Sequence, residues 1–216
     1  MEISRKSQDK TVVSPASPRL GMLAHLMDAA NLITLGGLAI SFLACWVVLL
    51  GRPSLAMALV ALAVVIDNVD GWMARRTQGR NPAFEYFGKH LDCYADYISK
   101  GIFPVLYLLT ATDFQIVSVP VALMYLMAIA VRYSYEFVPA RDHIGLSPDY
   151  SIAFLCLLQV AAARLGSAFV PILMASLVGF AALAVASFPS PKLKGWSVVG
   201  FCLFLLVLAG ILLASD

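Results

Sequence analysis

The stretch that decides the fold is residues 55–76, LAMALVALAVVIDNVDGWMARR. Its first half is an unbroken apolar run, and a helix that crosses a membrane needs about 20 predominantly apolar residues. Two acids, Asp67 and Asp70, follow the run directly, and a glycine and two arginines come after them. An ionised side chain inside a membrane helix costs about 2.5–3.5 kcal/mol on insertion scales. The stretch therefore predicts a membrane helix whose last turns contribute to a polar site.

The composition excludes a soluble protein. Of the 216 residues, 61% are hydrophobic and only 13% are charged, whereas soluble domains are about a quarter charged. Because lipid offers no hydrogen bonds, the backbone of such a chain must pair within helices. We therefore expect an all-α, polytopic transmembrane helical bundle. The net charge of +2 indicates no nucleic-acid partner, and the four scattered cysteines indicate packing rather than disulfides or a zinc site.

Seven apolar segments predict six or seven membrane spans. The predicted spans are residues 31–50, 54–73, 86–110, 115–136, 150–165, 168–187 and 196–214. The fifth is shorter than a crossing usually requires, so the fifth and sixth could instead form one bent helix. Residues 20–29 are too few and too mixed to cross, and they are expected to form an N-terminal interfacial helix.

The polar N-terminus lacks an apolar segment directly behind its basic start, so it is not a cleaved signal peptide. We interpret residues 1–19 as a flexible cytoplasmic tail and residues 20–216 as one membrane-embedded domain. Positively charged residues mark cytoplasmic loops, and they gather in the tail and after the second, fourth and sixth spans. The N-terminus is therefore expected in the cytoplasm. Seven spans would place the C-terminus outside, and six would place it inside.

Four acids fall where the second and third spans should meet the cytoplasmic face. Asp67 and Asp70 are three residues apart, and Asp92 and Asp96 are four apart, so each pair lies on one face of its helix. The two spans run in opposite directions, so these faces can meet. Carboxylates this close repel unless cations lie between them, and hard oxygen ligands suit Mg²⁺, Mn²⁺ or Ca²⁺. The pattern predicts a pair of divalent ions that clamp a phosphate, with one carboxylate left to act as a base.

Small and basic residues accompany the acids. Gly71 and Ala74 lie beside the first pair and Gly88 lies one turn before Asp92, where they let a ligand or a helix approach closely. Arg75 is placed to hold a phosphate. Each residue alone has a simpler interpretation, as an interfacial acid, a packing glycine or a positive-inside anchor. A cation transporter is a remote alternative, and the clustering of all four acids at one face disfavours it.

The acids, the glycines and the arginine together form a known signature. Residues 67–75 and 88–96 contain D-xx-DG-xx-AR and G-xxx-D-xxx-D, which resembles the signature of the CDP-alcohol phosphotransferase (CDP-alcohol phosphatidyltransferase) family. All eight fixed residues are present. Twelve residues separate Arg75 from Gly88, four more than in the signature. We expect a longer cytoplasmic loop there, with the acids still together.

The resemblance implies an integral membrane enzyme that transfers a phosphatidyl group from CDP-diacylglycerol to an alcohol and releases CMP. It implies that Asp67, Asp70 and Asp92 hold Mg²⁺ or Mn²⁺, and that Asp96 completes the metal site and acts as the catalytic base. The nucleotide site is implied to comprise Asn31, Thr34, Asp67, Gly71, Ala74 and Arg75. The resemblance also implies a homodimer. We expect the active site at the cytoplasmic face of a prokaryotic plasma membrane.

Three segments resemble the phosphatidylserine synthase branch of the family. They are FGKHLDCYADYISKGIFP at 87–104, IGLSP at 144–148 and SFPSPKLKG at 187–195. The resemblance implies L-serine as the acceptor, while choline, inositol phosphate and glycerol phosphate stay open. Lys100 stands where this branch has Phe, one turn after Asp96, and it could pair with that acid or with an acceptor carboxylate. We expect Lys100, Arg132 and Arg141 to bind the acceptor.

Overall fold

The computed structural model describes residues 21–76, 81–139, 144–189 and 195–215. Most of these residues are helical, and the only β-type pairing among them is an isolated bridge between Ile144 and Pro189. The predicted all-α fold class is confirmed. The predicted tail, residues 1–19, lies outside the described part of the chain.

Eight α-helices make up most of the described residues. They are α1 (Ala29–Leu49), α2 (Pro53–Arg76), α3 (Pro82–Asp96), α4 (Phe103–Ala111), α5 (Val119–Tyr135), α6 (Asp149–Leu165), α7 (Phe169–Val185) and α8 (Trp196–Ala214). A π-helical turn, Tyr97–Ile102, joins α3 to α4. Short 3₁₀ segments precede α1, α5 and α7 at Met22–Met27, Ile116–Ser118 and Gly166–Ala168.

Five stretches of the described residues are long and apolar enough to cross a membrane. They are Ala29–Leu49, Pro53–Gly71, Ile116–Tyr135, Asp149–Val185 and Trp196–Ala214. The third predicted span is divided between α3, the π turn and α4, and α3 with 15 residues and α4 with 9 are each too short alone. The chain is a multi-pass membrane protein.

Helices α6 and α7 run in opposite directions although they follow each other closely. The Gly145 N–H donates to the Phe188 carbonyl at 2.9 Å, and the Leu146 N–H donates to the Leu183 carbonyl at 2.9 Å. One straight helix through this segment would hold these ends roughly 55 Å apart at 1.5 Å per residue. The chain therefore reverses at Gly166–Ala168, and the fifth and sixth predicted spans are two helices rather than one bent helix.

Helix α2 lies at the centre of the bundle, where it packs against α1, α6 and α8. Ala56 and Ala61 are fully buried in these contacts, and small side chains let membrane helices approach closely. Phe103 and Leu155 are fully buried in the same apolar core. Packing of the apolar part of α2 thus fixes the position of its last turns, which carry the first two acids.

The N-terminal 3₁₀ segment, Met22–Met27, packs on α3. The His25 ring lies 5.2 Å from the Phe84 ring and 5.3 Å from the Phe87 ring, measured between centroids. The Asn31 side-chain amide donates to the carbonyls of His25 at 2.8 Å and Phe84 at 3.2 Å. Two turns of 3₁₀ helix thus stand where the sequence predicts an interfacial helix, and Asn31 connects this segment to α1 and α3.

The connection between α2 and α3 is shorter than the predicted loop. Helix α2 continues to Arg76, and α3 begins at Pro82. Asn81 caps α3, because its side-chain oxygen accepts a backbone N–H of the first turn at 2.9 Å. Most of the twelve residues between the two halves of the signature are therefore helical, and residues 77–81 connect them. Of these, 77–80 lie outside the described residues.

Candidate active site

Polar side chains gather at one end of the bundle, which we call the site end. Here α1 begins, α2 ends, the π turn follows α3, α5 ends and α6 begins. The side chains are Asn31, Thr34, Asp67, Asp70, Asp92, Asp96, Lys100, Arg132 and Asp149. Eight of these nine residues are predicted from the sequence, and Asp149 is not.

Three of the predicted acids form a compact cluster, which we call the acid trio. Asp67, Asp70 and Asp92 each offer a carboxylate oxygen, and these oxygens all lie within 4.8 Å of one another. Asp70 is only 5% exposed, and the Thr34 hydroxyl donates to its Oδ2. Carboxylates this close repel one another unless a cation lies between them, and their oxygens are the ligands that hard cations prefer.

The fourth predicted acid, Asp96, lies outside the acid trio and pairs with Lys100. The Lys100 Nζ is 2.7 Å from Asp96 Oδ1, 2.9 Å from Asp67 Oδ2 and 2.6 Å from Asp149 Oδ1. Lys100 is 2% exposed. The ammonium group therefore lies within ion-pair distance of three carboxylates. We call Lys100 and these three acids the lysine cluster, and Asp67 belongs to both clusters.

The π turn carries Lys100 into the interior. A π turn shifts backbone hydrogen bonds one residue farther along the chain, so its carbonyl groups turn away from the regular pattern. The Lys100 carbonyl accepts a hydrogen bond from the Tyr125 hydroxyl of α5 at 2.9 Å, and that hydroxyl also lies 2.9 Å from Ser151 Oγ of α6. Both side chains are buried. Helices α5 and α6 therefore fix the backbone that carries the ammonium group.

One cavity of about 300 Å³ opens on the lysine cluster between α5 and α6, and we call it the α5–α6 cavity. Its α5 wall contains Arg132, whose Nη1 donates to Glu136 Oε1 at 2.9 Å. The Arg132 Nε and the Tyr133 hydroxyl are buried without a hydrogen-bond partner among the described residues. Buried polar atoms without partners are rare in proteins, so these two atoms are available to a ligand.

A second cavity of about 450 Å³ lies between α1 and α3, and we call it the α1–α3 cavity. Its own walls include Ala30, Asn31, Thr34, Pro82, Tyr86 and Gly88. The two cavities share Asp70, Gly71, Lys89 and Asp92. Two residues of the acid trio therefore stand in the wall that separates the cavities, so ligands on both sides could reach the same ion.

Of the predicted nucleotide residues with described side chains, all but Asp67 line the α1–α3 cavity, and Asp67 lines the α5–α6 cavity instead. Those that line it are Asn31, Thr34 and Gly71. The backbone of Ala74 and Arg75 belongs to α2, but their side chains lie outside the described part of the structure. Arg141, predicted to bind the acceptor, lies outside it entirely. The roles of these residues stay predictions.

Asp149, the first residue of α6, completes the lysine cluster and has no predicted role in the sequence. Besides its contact with Lys100, its Oδ2 accepts a hydrogen bond from Ser147 Oγ at 2.8 Å. The available signal was an acid directly after IGLSP, at the start of an apolar segment. Its meaning depends on the packing of α6 against the π turn, which spacing along the chain does not reveal. Glu136 and Tyr133 were missed for the same reason.

A family model for CDP-alcohol phosphatidyltransferases matches residues 27–212. The chain belongs to this family. A CDP-alcohol phosphatidyltransferase uses a CDP-alcohol donor and an alcohol acceptor in a membrane. The matched residues include both acid clusters and the walls of both cavities, so the family and the site geometry concern the same part of the molecule.

A curated relative is similar to part of this CDP-alcohol phosphatidyltransferase. It is the archaetidylserine synthase of Methanothermobacter thermautotrophicus, which is 35% identical over 85 residues. The alignment covers 39% of this chain and 36% of the relative. The chain thus spans about a third of that relative's length. The relative's name describes its own activity and does not assign an acceptor to this chain.

CDP-alcohol phosphotransferases use divalent metal ions, and the acid trio fits such an ion. Its ligand atoms are all carboxylate oxygens, which hard cations prefer, and they lie close enough to converge on one ion. Thr34 acts as an outer partner that holds Asp70 in place. Asp67, Asp70 and Asp92 are therefore the residues that would hold a metal ion.

Proposed function

We propose that this CDP-alcohol phosphatidyltransferase transfers the phosphatidyl group of CDP-diacylglycerol to L-serine, giving phosphatidylserine and CMP. The observation that carries the proposal is the position of the acid trio between two cavities. A transfer reaction requires donor and acceptor to be held together at one reactive centre. Asp70 and Asp92 line both cavities, so each substrate can have its own cavity and still reach the same acids.

The donor binds in the α1–α3 cavity in this proposal. The cavity volume of about 450 Å³ lies within the range of ligand pockets, roughly 300–1,000 Å³. Thr34 and Gly71 stand in its wall beside the acids. Ala74 and Arg75 continue α2 from that wall, and they are proposed to contact the nucleotide and its diphosphate.

The acceptor step takes place where the α5–α6 cavity meets the acids. Asp96 accepts the proton of the serine hydroxyl, and the hydroxyl oxygen forms a bond to the lipid-side phosphorus of the donor. The bond from this phosphorus to the bridging oxygen breaks, and CMP leaves with that oxygen and the electron pair. A divalent ion bound by the acid trio supplies charge neutralisation for the diphosphate and for the departing oxygen.

Serine is the proposed acceptor because the α5–α6 cavity carries charges of both signs. Lys89 and Arg132 are its cations outside the lysine cluster, and Glu136 and Asp149 are among its anions. A zwitterion can pair with both signs, whereas a phosphorylated acceptor would meet more carboxylates than cations. The unpartnered Arg132 Nε and Tyr133 hydroxyl are suited to the serine carboxylate. The named function of the archaeal relative supports the same acceptor.

We further propose that the site end faces the cytoplasm of a prokaryotic plasma membrane, because positive charges accompany the cytoplasmic ends of spans. Lys89 and Arg132 lie at this end, and Arg75 and Arg76 end α2. The homodimer stays a proposal that rests on the family resemblance alone.

An acceptor panel tests the proposed function. The purified protein is given radiolabelled CDP-diacylglycerol with Mg²⁺ or Mn²⁺ and, separately, serine, choline, inositol phosphate or glycerol phosphate. We expect CMP release with serine and loss of at least ~100-fold of the rate in Asp96→Asn, because a general base contributes about 10²–10⁴-fold. Asp113→Asn is the matched control, since Asp113 is an exposed residue after α4, at the far end of the bundle.

The panel separates the candidate acceptors. CMP release with choline, inositol phosphate or glycerol phosphate but not serine would replace the acceptor and keep the enzyme class. Absence of CMP release with every alcohol, or full activity in Asp96→Asn, would overturn the proposed mechanism.

A further inference from the structure

We propose that the Lys100 ammonium occupies the second cation position of the active site, so that the enzyme binds one divalent ion per chain. This inference rests on the proposed function, for which the four signature acids predict two ions. Two-ion sites for phosphate chemistry hold their cations about 3.5–4 Å apart and clamp the reacting group between them. Lys100 supplies a positive charge beside the acid trio from within the protein.

The ammonium group lies where a second ion would need its ligands. Its Nζ is 2.9 Å from Asp67 Oδ2 and 2.7 Å from Asp96 Oδ1. Asp67 also belongs to the acid trio, so its carboxylate bridges the predicted ion position and the ammonium group. Asp96, the acid that would complete a second metal site, is instead engaged by Lys100.

Asp149 shows that the ammonium position is built into the fold. It is an acid outside the family signature, it comes from a different helix, and its Oδ1 lies 2.6 Å from Nζ. Ser147 donates to its other oxygen at 2.8 Å and so holds the carboxylate in place. With Asp149 in position, three carboxylates from three different elements surround the Lys100 ammonium group.

The backbone and the surroundings hold Lys100 in this position. The residue is 2% exposed, and its carbonyl is fixed by the Tyr125 hydroxyl at 2.9 Å. A buried ammonium group is stable only when it is fully paired, so leaving the three acids would be costly. A second dication placed against Asp67 and Asp96 would lie close to this positive charge and would be repelled by it.

The number of bound ions tests the proposal directly. Mn²⁺ alone is titrated into the purified full chain in detergent micelles, and the bound ions are counted by electron paramagnetic resonance of free Mn²⁺. We expect one Mn²⁺ per chain in the wild-type protein and two in Lys100→Met, which frees Asp67 and Asp96. Lys89→Met is the matched control, with one ion expected, because the Lys89 Nζ donates to the Glu136 carbonyl at 3.2 Å instead.

Each outcome decides the proposal. Two ions in the wild-type protein would overturn it, since Lys100 would then have to leave the acids, and a single ion in Lys100→Met would overturn it as well. If Lys100→Met does not fold, the double variant Lys100→Met/Asp149→Asn removes the opposite charges together and is expected to bind two ions. The count is independent of turnover, so failure of serine as acceptor leaves it unchanged. Absence of bound Mn²⁺ in every variant would overturn both this inference and the metal-dependent mechanism.

Discussion

The hydroxyl group of Thr34 helps to fix the geometry of the acid trio. The hydroxyl donates to Asp70 Oδ2 and lies 3.0 Å from the Ala30 carbonyl of its own helix. Thr34 is only 7% exposed, so water does not readily replace it as a donor. Outer partners of this kind orient the carboxylates that bind metal ions. Helix α1 would thus support the proposed metal site without contributing a ligand.

Thr34→Val is expected to weaken Mn²⁺ binding by about 10–100-fold, because Asp70 loses the donor that orients it. The substitution keeps the size and branching of the side chain. Thr110→Val is the control, since the Thr110 hydroxyl only returns to carbonyls of its own helix, at 2.9 Å and 3.0 Å. The dissociation constants come from Mn²⁺ titrations. Equal effects of the two substitutions would contradict the role assigned to Thr34.

Spacing along the chain predicts some of these residues and leaves others hidden. Asp67, Asp70 and Asp92 could be grouped because helical spacing and an antiparallel pair of spans bring them together. For Lys100 the sequence left open a contact with Asp96 or with the acceptor, and the structure places its ammonium group within 2.9 Å of three carboxylates. Asp149 could not be predicted as its partner, since their contact arises only when α6 packs against the π turn.

The packing of α6 against α7 depends on the backbone conformation of one residue, Gly145. Gly145 has φ of +76°, and a Cβ added there would lie 2.3 Å from the Ala184 carbonyl oxygen. Its N–H donates to the Phe188 carbonyl, so the end of α7 presses directly against this residue. The segment leads to Ser147 and Asp149, and its position therefore affects the lysine cluster.

Gly145→Ala is expected to destabilise the protein by more than the cost of a left-handed backbone, about 1–2 kcal/mol per residue, because the new methyl group meets a carbonyl. Gly51→Ala is the control. Gly51 has φ of +75° and open space around it, so an added methyl group there meets no other atom. Thermal unfolding in detergent, followed by intrinsic fluorescence, gives the two midpoints. A midpoint for Gly145→Ala as high as that for Gly51→Ala would contradict the close packing at Gly145.

Hydropathy predicts the elements well where a span is regular and poorly where it is not. The predicted first span, 31–50, agrees closely with α1 at Ala29–Leu49. The π turn within the third span has no signature in the apolar pattern, because the one-residue shift of its backbone hydrogen bonds does not depend on the polarity of the side chains. Whether α6 and α7 form one helix or two was decided by hydrogen bonds between distant residues, which no local pattern encodes.

The order of the helices determines at which end of the bundle the C-terminus lies. Helix α8 begins at the site end, where the Phe201 ring lies 5.8 Å from the Tyr150 ring of α6. Its 19 residues extend about 28 Å at 1.5 Å per residue, so Ser215 lies at the opposite end of the bundle. If the site end is cytoplasmic, as proposed, the C-terminus lies outside the cell.

A C-terminal fusion to alkaline phosphatase in a bacterial host is therefore expected to be active, because this enzyme folds only outside the cytoplasm. A C-terminal fusion to a green fluorescent protein, exported in the unfolded state, is expected to stay dark. The same fluorescent protein fused to the N-terminus is the control and is expected to fluoresce. Bright C-terminal fusions would contradict the proposed orientation of the site end.

The shared wall between the two cavities has a stereochemical consequence. In the proposed arrangement, a donor in the α1–α3 cavity and an alcohol in the α5–α6 cavity would meet at Asp70 and Asp92, which line both cavities. The alcohol would then reach phosphorus directly, and no protein nucleophile would have to carry the lipid between them. A single displacement exchanges one substituent on phosphorus from the face opposite to the departing group. The product therefore has the inverted configuration at phosphorus, and two substrates must be present together before either bond changes.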